Sequence, residues 1–150
     1  MAKPSGYFVD TGIFLRWFVV QEGWTDSAKF ARSARDEFLL GNLRLETVAS
    51  VRTELGEVLR KKGLLPGHLD AEHYITAARS IDDLGVIVRE VDVDTLERAA
   101  RLAANHVLRL FDALVVDGAL ESGLPLLTTD AALCRGIGNL VETVLLVPDA

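Results

Sequence analysis

Four acidic residues of this chain stand where carboxylates can do chemistry: Asp10, Glu54, Asp112 and Asp130. Two of them follow short apolar runs typical of buried strands, and the other two lie in helical patterns at the margin of the apolar face. In a right-handed α/β sandwich, all four can converge on one edge of the sheet. Because clustered carboxylates repel one another, a hard divalent cation is needed to hold them together. The pattern therefore predicts a Mg²⁺ or Mn²⁺ site at which a metal-bound water is the nucleophile.

Helical geometry separates these acids from their neighbours. In the helix predicted over residues 48–62, Glu54 lies about 80° from the centre of the apolar stripe, whereas Glu57 lies about 140° away. Asp112 lies about 90° from the centre of its own apolar face, and Asp117 is about 140° further round the same helix. We therefore expect Glu54 and Asp112 to reach a cleft, and Glu57 and Asp117 to be solvated surface charges.

Two of the acids also have a structural interpretation. Asp10 and Asp130 each precede a predicted helix, where a carboxylate commonly caps the free N–H groups. A capping role and a metal site both remain open at this point. Zinc is not expected, because no His–Cys ligand spacing occurs. The single Cys134 has no His near it in sequence and is interpreted as a small packed residue.

The elements that must position the acids alternate along the chain. Strands are predicted over residues 6–10, 85–88, 124–128 and 143–147, and residues 43–46 are either a short strand or the approach to a helix. Helices are predicted over residues 13–20, 25–40, 48–62, 68–83, 92–104, 111–122 and 131–135. In the helix over 111–122, Phe111, Leu114 and Val115 begin the apolar face. Strands separated by helices predict an α/β fold, a three-layer α/β/α sandwich with a central, mainly parallel sheet.

Bulk properties set the class of protein. At 150 residues we expect a single domain over residues 1–150, and the net charge of −6 argues against a protein that coats polyanions nonspecifically. One cysteine excludes an intrachain disulfide and suits a reducing cytoplasm. No export signal is apparent, and no apolar run approaches the roughly 20 residues of a membrane span. The expected location is therefore the cytoplasm, with no membrane contact.

Four motifs in order give the chain a resemblance to a known family. They are FVDTG at 8–12, ELGEVLR at 54–60, FDAL at 111–114 and LLTTD at 126–130, and 18 residues separate Asp112 from Asp130. Each motif alone is weak, but each lies in the appropriate predicted element. Over essentially its whole length the sequence resembles a PIN-domain ribonuclease of the VapC toxin type, from a type II toxin–antitoxin system.

The resemblance implies a site and a function. Asp10 and Asp112 would be the principal metal ligands, Glu54 and Asp130 would complete the acidic cluster, and Thr11 and Thr128 match hydroxyl positions beside it. Where this chain has Glu57, the family usually has a small polar residue, often Asn. The activity would be Mg²⁺- or Mn²⁺-dependent hydrolysis of RNA, such as tRNA or rRNA, leaving 5′-phosphate and 3′-hydroxyl ends. The partners would be a second copy of the chain in a homodimer and a VapB-type antitoxin whose tail enters the active site.

The same residues bear on other classes of protein. A receiver-type phosphoacceptor domain needs an adjacent acidic pair after its first strand, and a haloacid-dehalogenase-like phosphatase needs a second Asp where this chain has Gly12. Neither pattern is present. A housekeeping PIN nuclease in RNA processing stays open. A non-catalytic PIN scaffold is disfavoured, because such scaffolds commonly lose some of the four acids.

Overall fold

The computed structural model describes residues 4–150, in which five strands form one sheet. The strands are β1 (Gly6–Val9), β2 (Arg44–Val48), β3 (Ile87–Arg89), β4 (Leu126–Thr128) and β5 (Thr143–Leu145). They lie in the order β3-β2-β1-β4-β5, and each of the four pairings is parallel. The parallel sheet is thus confirmed, and the ambiguous segment at 43–46 enters the strand β2.

Eight α-helices connect and cover the strands in the described part of the chain. They are α1 (Thr11–Leu15), α2 (Thr25–Leu39), α3 (Ser50–Leu59), α4 (Ala71–Ala78), α5 (Ser80–Asp83), α6 (Val93–Asn105), α7 (Leu110–Ser122) and α8 (Ala131–Ile137). A π-helical turn, Arg60–Leu64, continues α3. Within residues 4–150, none of these helices is long and apolar enough to cross a membrane.

The two faces of the sheet are covered by different helices. Successive side chains of a strand point to opposite faces. In β1, Phe8 points toward α7, where its ring meets Gly118, while Tyr7 contacts Phe30 of α2 at a ring-centroid distance of 6.3 Å. Helix α6 packs on α7, and α1 packs against α2 and α3. This confirms the predicted three-layer α/β/α arrangement.

The strand order places a crevice beside the first strand. β1 is central, and the chain passes to β2 on one side and to β4 on the other. In open α/β sheets, ligands bind at the carboxyl ends of the strands where the order reverses in this way. Asp10 follows β1 directly and Asp130 lies two residues after β4, so both acids stand at this switch point.

Two sequence predictions about single apolar residues were wrong. Val48 was assigned to a helix, but it ends β2 opposite Arg89, and the N–H of Ala49 donates to the Arg89 carbonyl at 2.9 Å. A short apolar run suits a strand or a helix, and pairing with β3 decides this one. Phe111 is predicted on the buried face of its helix, yet it is 53% exposed.

The prediction for Asp117 was also wrong. The residue is only 4% exposed, and its Oδ1 accepts a hydrogen bond from Arg98 Nε at 2.9 Å. Helix α6 covers α7 and brings Arg98 onto this carboxylate, which the geometry of one isolated helix does not reveal. Glu57, by contrast, faces solvent as expected and pairs with Arg60.

A substitution at the contact between α7 and β1 tests this packing. A Cβ added at Gly118 would overlap the Phe8 ring, which is fully buried and cannot move aside. We expect Gly118→Ala to lower the free energy of unfolding by about 1–3 kcal/mol. Gly56→Ala in α3 is the matched control, since open space surrounds that position. There Ala should raise stability by up to about 1 kcal/mol. Urea unfolding of both variants measures this, and equal effects would contradict the packing described.

Candidate active site

The four predicted acids line one cavity at the switch point of the sheet. The cavity has a volume of about 320 Å³, and Asp10, Glu54, Asp112 and Asp130 all contribute to its surface, together with Thr11. Asp10 comes from the end of β1, Glu54 from α3, Asp112 from the first turn of α7, and Asp130 from the segment after β4. The structure thus brings together four acids that lie far apart along the sequence, from position 10 to position 130.

Asp10 is the most enclosed of these carboxylates. Its Oδ1 accepts a hydrogen bond from the backbone N–H of Thr11 at 2.8 Å, and its Oδ2 accepts one from Thr128 Oγ1 at 2.8 Å. Burial raises the pKa of Asp10 from 3.8 to about 6. The two hydrogen bonds oppose this rise, while the charges of Glu54 and Asp112 add to it. The three carboxylates are therefore close enough to repel one another.

Two threonine hydroxyls hold the acids in place. Thr11 Oγ1 donates to Glu54 Oε2 at 3.1 Å, and Thr128 Oγ1 donates to Asp10 while accepting from the N–H of Asp130 at 3.0 Å. Asp130 in turn accepts from the N–H of Leu133 and caps α8. Asp10 likewise caps α1. For both acids, the capping role and the place in the cluster coexist.

Asp112 is paired with a cation from its own chain. Arg109 Nε lies 3.1 Å from Asp112 Oδ2, and Arg109 Nη2 lies 3.2 Å from Oδ1, which is a bidentate pair. The hydrogen bonds that Arg109 donates to Asp112 raise the pKa of Arg109, and the charges of Glu54 and Asp130 add to this effect. The guanidinium therefore sits in the field of three acids.

The donor set suits a hard divalent cation, but its members are not gathered around one point. Carboxylate and hydroxyl oxygens are the ligands that Mg²⁺ prefers. Nevertheless, within residues 4–150 no three Asp, Glu, His or Cys side chains lie close enough together to hold one ion. Each acid instead accepts a hydrogen bond from a group of the protein. The assignment of the four acids as metal ligands stays a prediction.

Sequence reasoning missed the cationic and aromatic lining of the cavity. Arg16, Trp24, Lys62 and Arg109 all contribute to it. Arg16 interrupts the apolar run over residues 7–20, and Lys62 is the last of three cations at the end of the predicted helix over residues 48–62, so neither pattern points to a site. Their common location depends on the turn after α1 meeting the turn after α3. The sequence gives no period or motif for such a meeting.

Comparison with known proteins identifies relatives of this architecture. The profile of the PIN domain family matches residues 7–136. The VapC20 toxin of Mycobacterium tuberculosis, described as cleaving the sarcin–ricin loop, superposes with a TM-score of 0.66 at 17% identity, covering 86% of this chain and 93% of that one. VapBC2 of Rickettsia felis, bound to a promoter DNA fragment, gives a TM-score of 0.61 at 15% identity, covering 96% and 99%. A toxin–antitoxin complex from Klebsiella pneumoniae gives a TM-score of 0.60 at 17% identity, covering 92% and 95%.

No curated protein matches the sequence significantly. Identities of 15–17% to the solved structures speak for a shared fold and leave the chemistry to be argued from this chain's own residues.

The raised pKa of Asp10 predicts a pH-dependent stability difference. Between pH 3.8 and about 6, the Asp10 carboxyl is ionised in the unfolded chain and still protonated in the folded chain. The stability that the protonated side chain contributes is therefore complete below pH 3.8 and is lost by about pH 6. The rise corresponds to roughly 3 kcal/mol, or about 6–12 °C. Asp10→Asn cannot ionise. In metal-free buffer its melting temperature minus that of wild type should therefore increase from pH 4 to pH 6 and then stay constant.

The control for this titration has the opposite sign. The hydrogen bond from Arg52 lowers the pKa of Asp82 on the protein surface, so its contribution appears as the pH rises. Asp82→Asn should therefore lose melting temperature relative to wild type over the acidic range. A pH-independent difference for Asp10→Asn would show that the Asp10 carboxylate is not enclosed as described.

Proposed function

The chain belongs to the PIN domain family, and from this premise we propose that it is a metal-dependent endoribonuclease, the VapC-type toxin of a VapBC toxin–antitoxin module. The observation that carries the proposal is the convergence of Asp10, Glu54, Asp112 and Asp130 on one cavity at the switch point of the sheet. Each of these acids also matches a motif of the resemblance. A cavity with this concentration of carboxylates is costly for a fold, which favours a functional reason for it.

The proposed ligands of Mg²⁺ or Mn²⁺ are Asp10, Glu54, Asp112 and Asp130. When bound, the ion would polarise the RNA phosphate and lower the pKa of a water. The chain's own residues prepare the site for this chemistry. Thr128 orients Asp10 and Thr11 orients Glu54, so that the carboxylate oxygens are fixed before substrate arrives. With its pKa at about 6, Asp10 is ionised at neutral pH and available as a ligand. Glu54 or Asp130 would position the attacking water.

The proposed partners follow from the charge of the same cavity. Asp112 forms a bidentate pair with the Arg109 guanidinium, which supports a site that accepts a group of this kind. A guanidinium is also the group that an antitoxin tail would insert. Two of the similar structures are toxin–antitoxin complexes. We therefore include a VapB-type antitoxin as the inhibitor, together with a homodimer as the toxin's own assembly. An RNA such as tRNA or rRNA is the proposed substrate, in the cytoplasm.

Cleavage of RNA is the first test. Purified protein should cut structured RNA with Mg²⁺ or Mn²⁺ and stop when EDTA is added, since the site has hard oxygen ligands and no nucleophile–base pair. Asp10→Asn and Asp112→Asn should each lower the rate by at least about 100-fold, whereas the exposed Glu57→Gln should cleave like wild type. The readout is gel analysis of end-labelled RNA. Cleavage that survives EDTA would contradict the metal mechanism.

Growth arrest is the second test, and it separates a toxin from a housekeeping nuclease. Induced expression in a bacterial host should stop growth, and Asp112→Asn at equal protein level should relieve the arrest, because the arrest depends on cleavage. Mapping of new RNA 5′ ends after induction would locate the target. A protein that cleaves RNA in vitro but leaves growth unaffected would be the housekeeping alternative.

A further inference from the structure

The cavity that contains the acids also has a wall of opposite character, formed by Arg16, Trp24 and Lys62, which we call the cationic wall. These residues come from the turn after α1, the residue before α2 and the π-helical turn after α3. None of them is needed to hold a metal. Their position beside four carboxylates therefore needs a physical explanation.

Arg16 is an unusual cation because it is only 4% exposed. Its Nη1 donates to the Gly12 carbonyl at 2.8 Å and its Nη2 donates to Gln21 Oε1 at 3.3 Å, while Nε has no partner among the described residues. No carboxylate within that part of the chain forms an ion pair with it. Burial accordingly lowers the pKa of Arg16. An enclosed positive charge without a local anion favours an anion brought by a ligand.

Trp24 is held in place by this guanidinium. Arg16 Cζ lies 4.2 Å from the centroid of the Trp24 ring, a cation–π contact that covers one face of the indole. The ring is partly exposed and contributes to the cavity surface. A fixed aromatic ring at the edge of a cavity is a platform on which a nucleic-acid base can stack.

Lys62 adds a mobile charge to the same wall. It is exposed and reaches the cavity, whereas its equally exposed neighbour Lys61 does not. A lysine in such a place can pair with a phosphate of a bound strand. Because the whole chain carries a net charge of −6, a polyanion must be held by a local group of this kind.

We propose that the cationic wall is the RNA-binding subsite of the cavity. Trp24 stacks on the base of a nucleotide adjacent to the cleaved bond, Lys62 pairs with a backbone phosphate, and Arg16 positions the indole and supplies charge behind it. This inference rests on the proposed ribonuclease function. It adds to that function the residues that bind a single strand of the RNA. It places the strand between a cationic wall and an acidic wall, so that the path of the strand past the carboxylates is fixed.

Binding without cleavage tests the subsite. Wild type and the variants Trp24→Phe, Trp24→Leu, Lys62→Met and Lys61→Met are titrated in EDTA with a short, unstructured, fluorescently labelled RNA, and anisotropy is followed over a series of salt concentrations. Trp24→Leu should weaken binding by roughly 10-fold or more, whereas Trp24→Phe, which keeps a stacking ring, should bind nearly as wild type. Lys62→Met should reduce the salt slope by about 0.7, and Lys61→Met should leave it unchanged.

Intrinsic fluorescence gives an independent reading of stacking. The chain has two tryptophans, and the other, Trp17, is buried in the core. Unlabelled RNA should quench the emission of wild type, and Trp24→Phe should abolish the quenching while retaining affinity.

Equal salt slopes for Lys61→Met and Lys62→Met, or wild-type affinity in Trp24→Leu, would overturn the proposal. The Lys62 comparison decides the matter even if Trp24→Leu fails to fold, because it concerns an exposed side chain. If RNA is cleaved but these variants bind alike, only the subsite is wrong. If the variants differ as expected but no RNA is cleaved, RNA binding at the cationic wall stands, whereas the ribonuclease function and the place of Trp24 beside a cleaved bond are wrong.

Discussion

Repulsion among four carboxylates in one cavity is the constraint on which the rest of this site depends. Each acid accepts a hydrogen bond from a group of the protein: the Thr11 hydroxyl for Glu54, the Thr128 hydroxyl for Asp10, Arg109 for Asp112 and the Leu133 N–H for Asp130. Among the described residues, no three of these acids stand together as an ion-binding set. Under the proposed function, a divalent ion would compete with Arg109 for Asp112.

The unfavourable effect of burying a charged carboxylate is largest at Asp10. Its place at the end of the central strand β1 encloses the carboxylate, and burial is the largest cause of its raised pKa. Capping of α1 and the bond from Thr128 recover part of that cost. The same bonds fix the orientation of the side chain. Structural anchoring and preparation for chemistry are therefore carried out by the same contacts.

Buried carboxylates also occur away from the cavity, where they form ion pairs within the fold. Asp117 is buried between α6 and α7 and is paired with Arg98, and Glu46 is buried in β2 between Arg44 and Arg89. Both carboxylates are held by arginine, so neither is left as an uncompensated buried charge. The acids of the cavity differ in this respect, since only Asp112 among them has an arginine of the described chain as a direct partner.

The sequence alone was sufficient for four of the five described strands, most of the helices and the meeting of the four acids at one edge of the sheet. Apolar periodicity and the residues that end each element are local properties, and parallel strands necessarily bring their carboxyl ends to one edge. Tertiary structure alone decided the burial of Asp117, the end of β2 at Val48 and the meeting of Arg16 with Trp24. Each of these depends on which distant or flanking element packs nearby. No periodicity within a single segment carries that information.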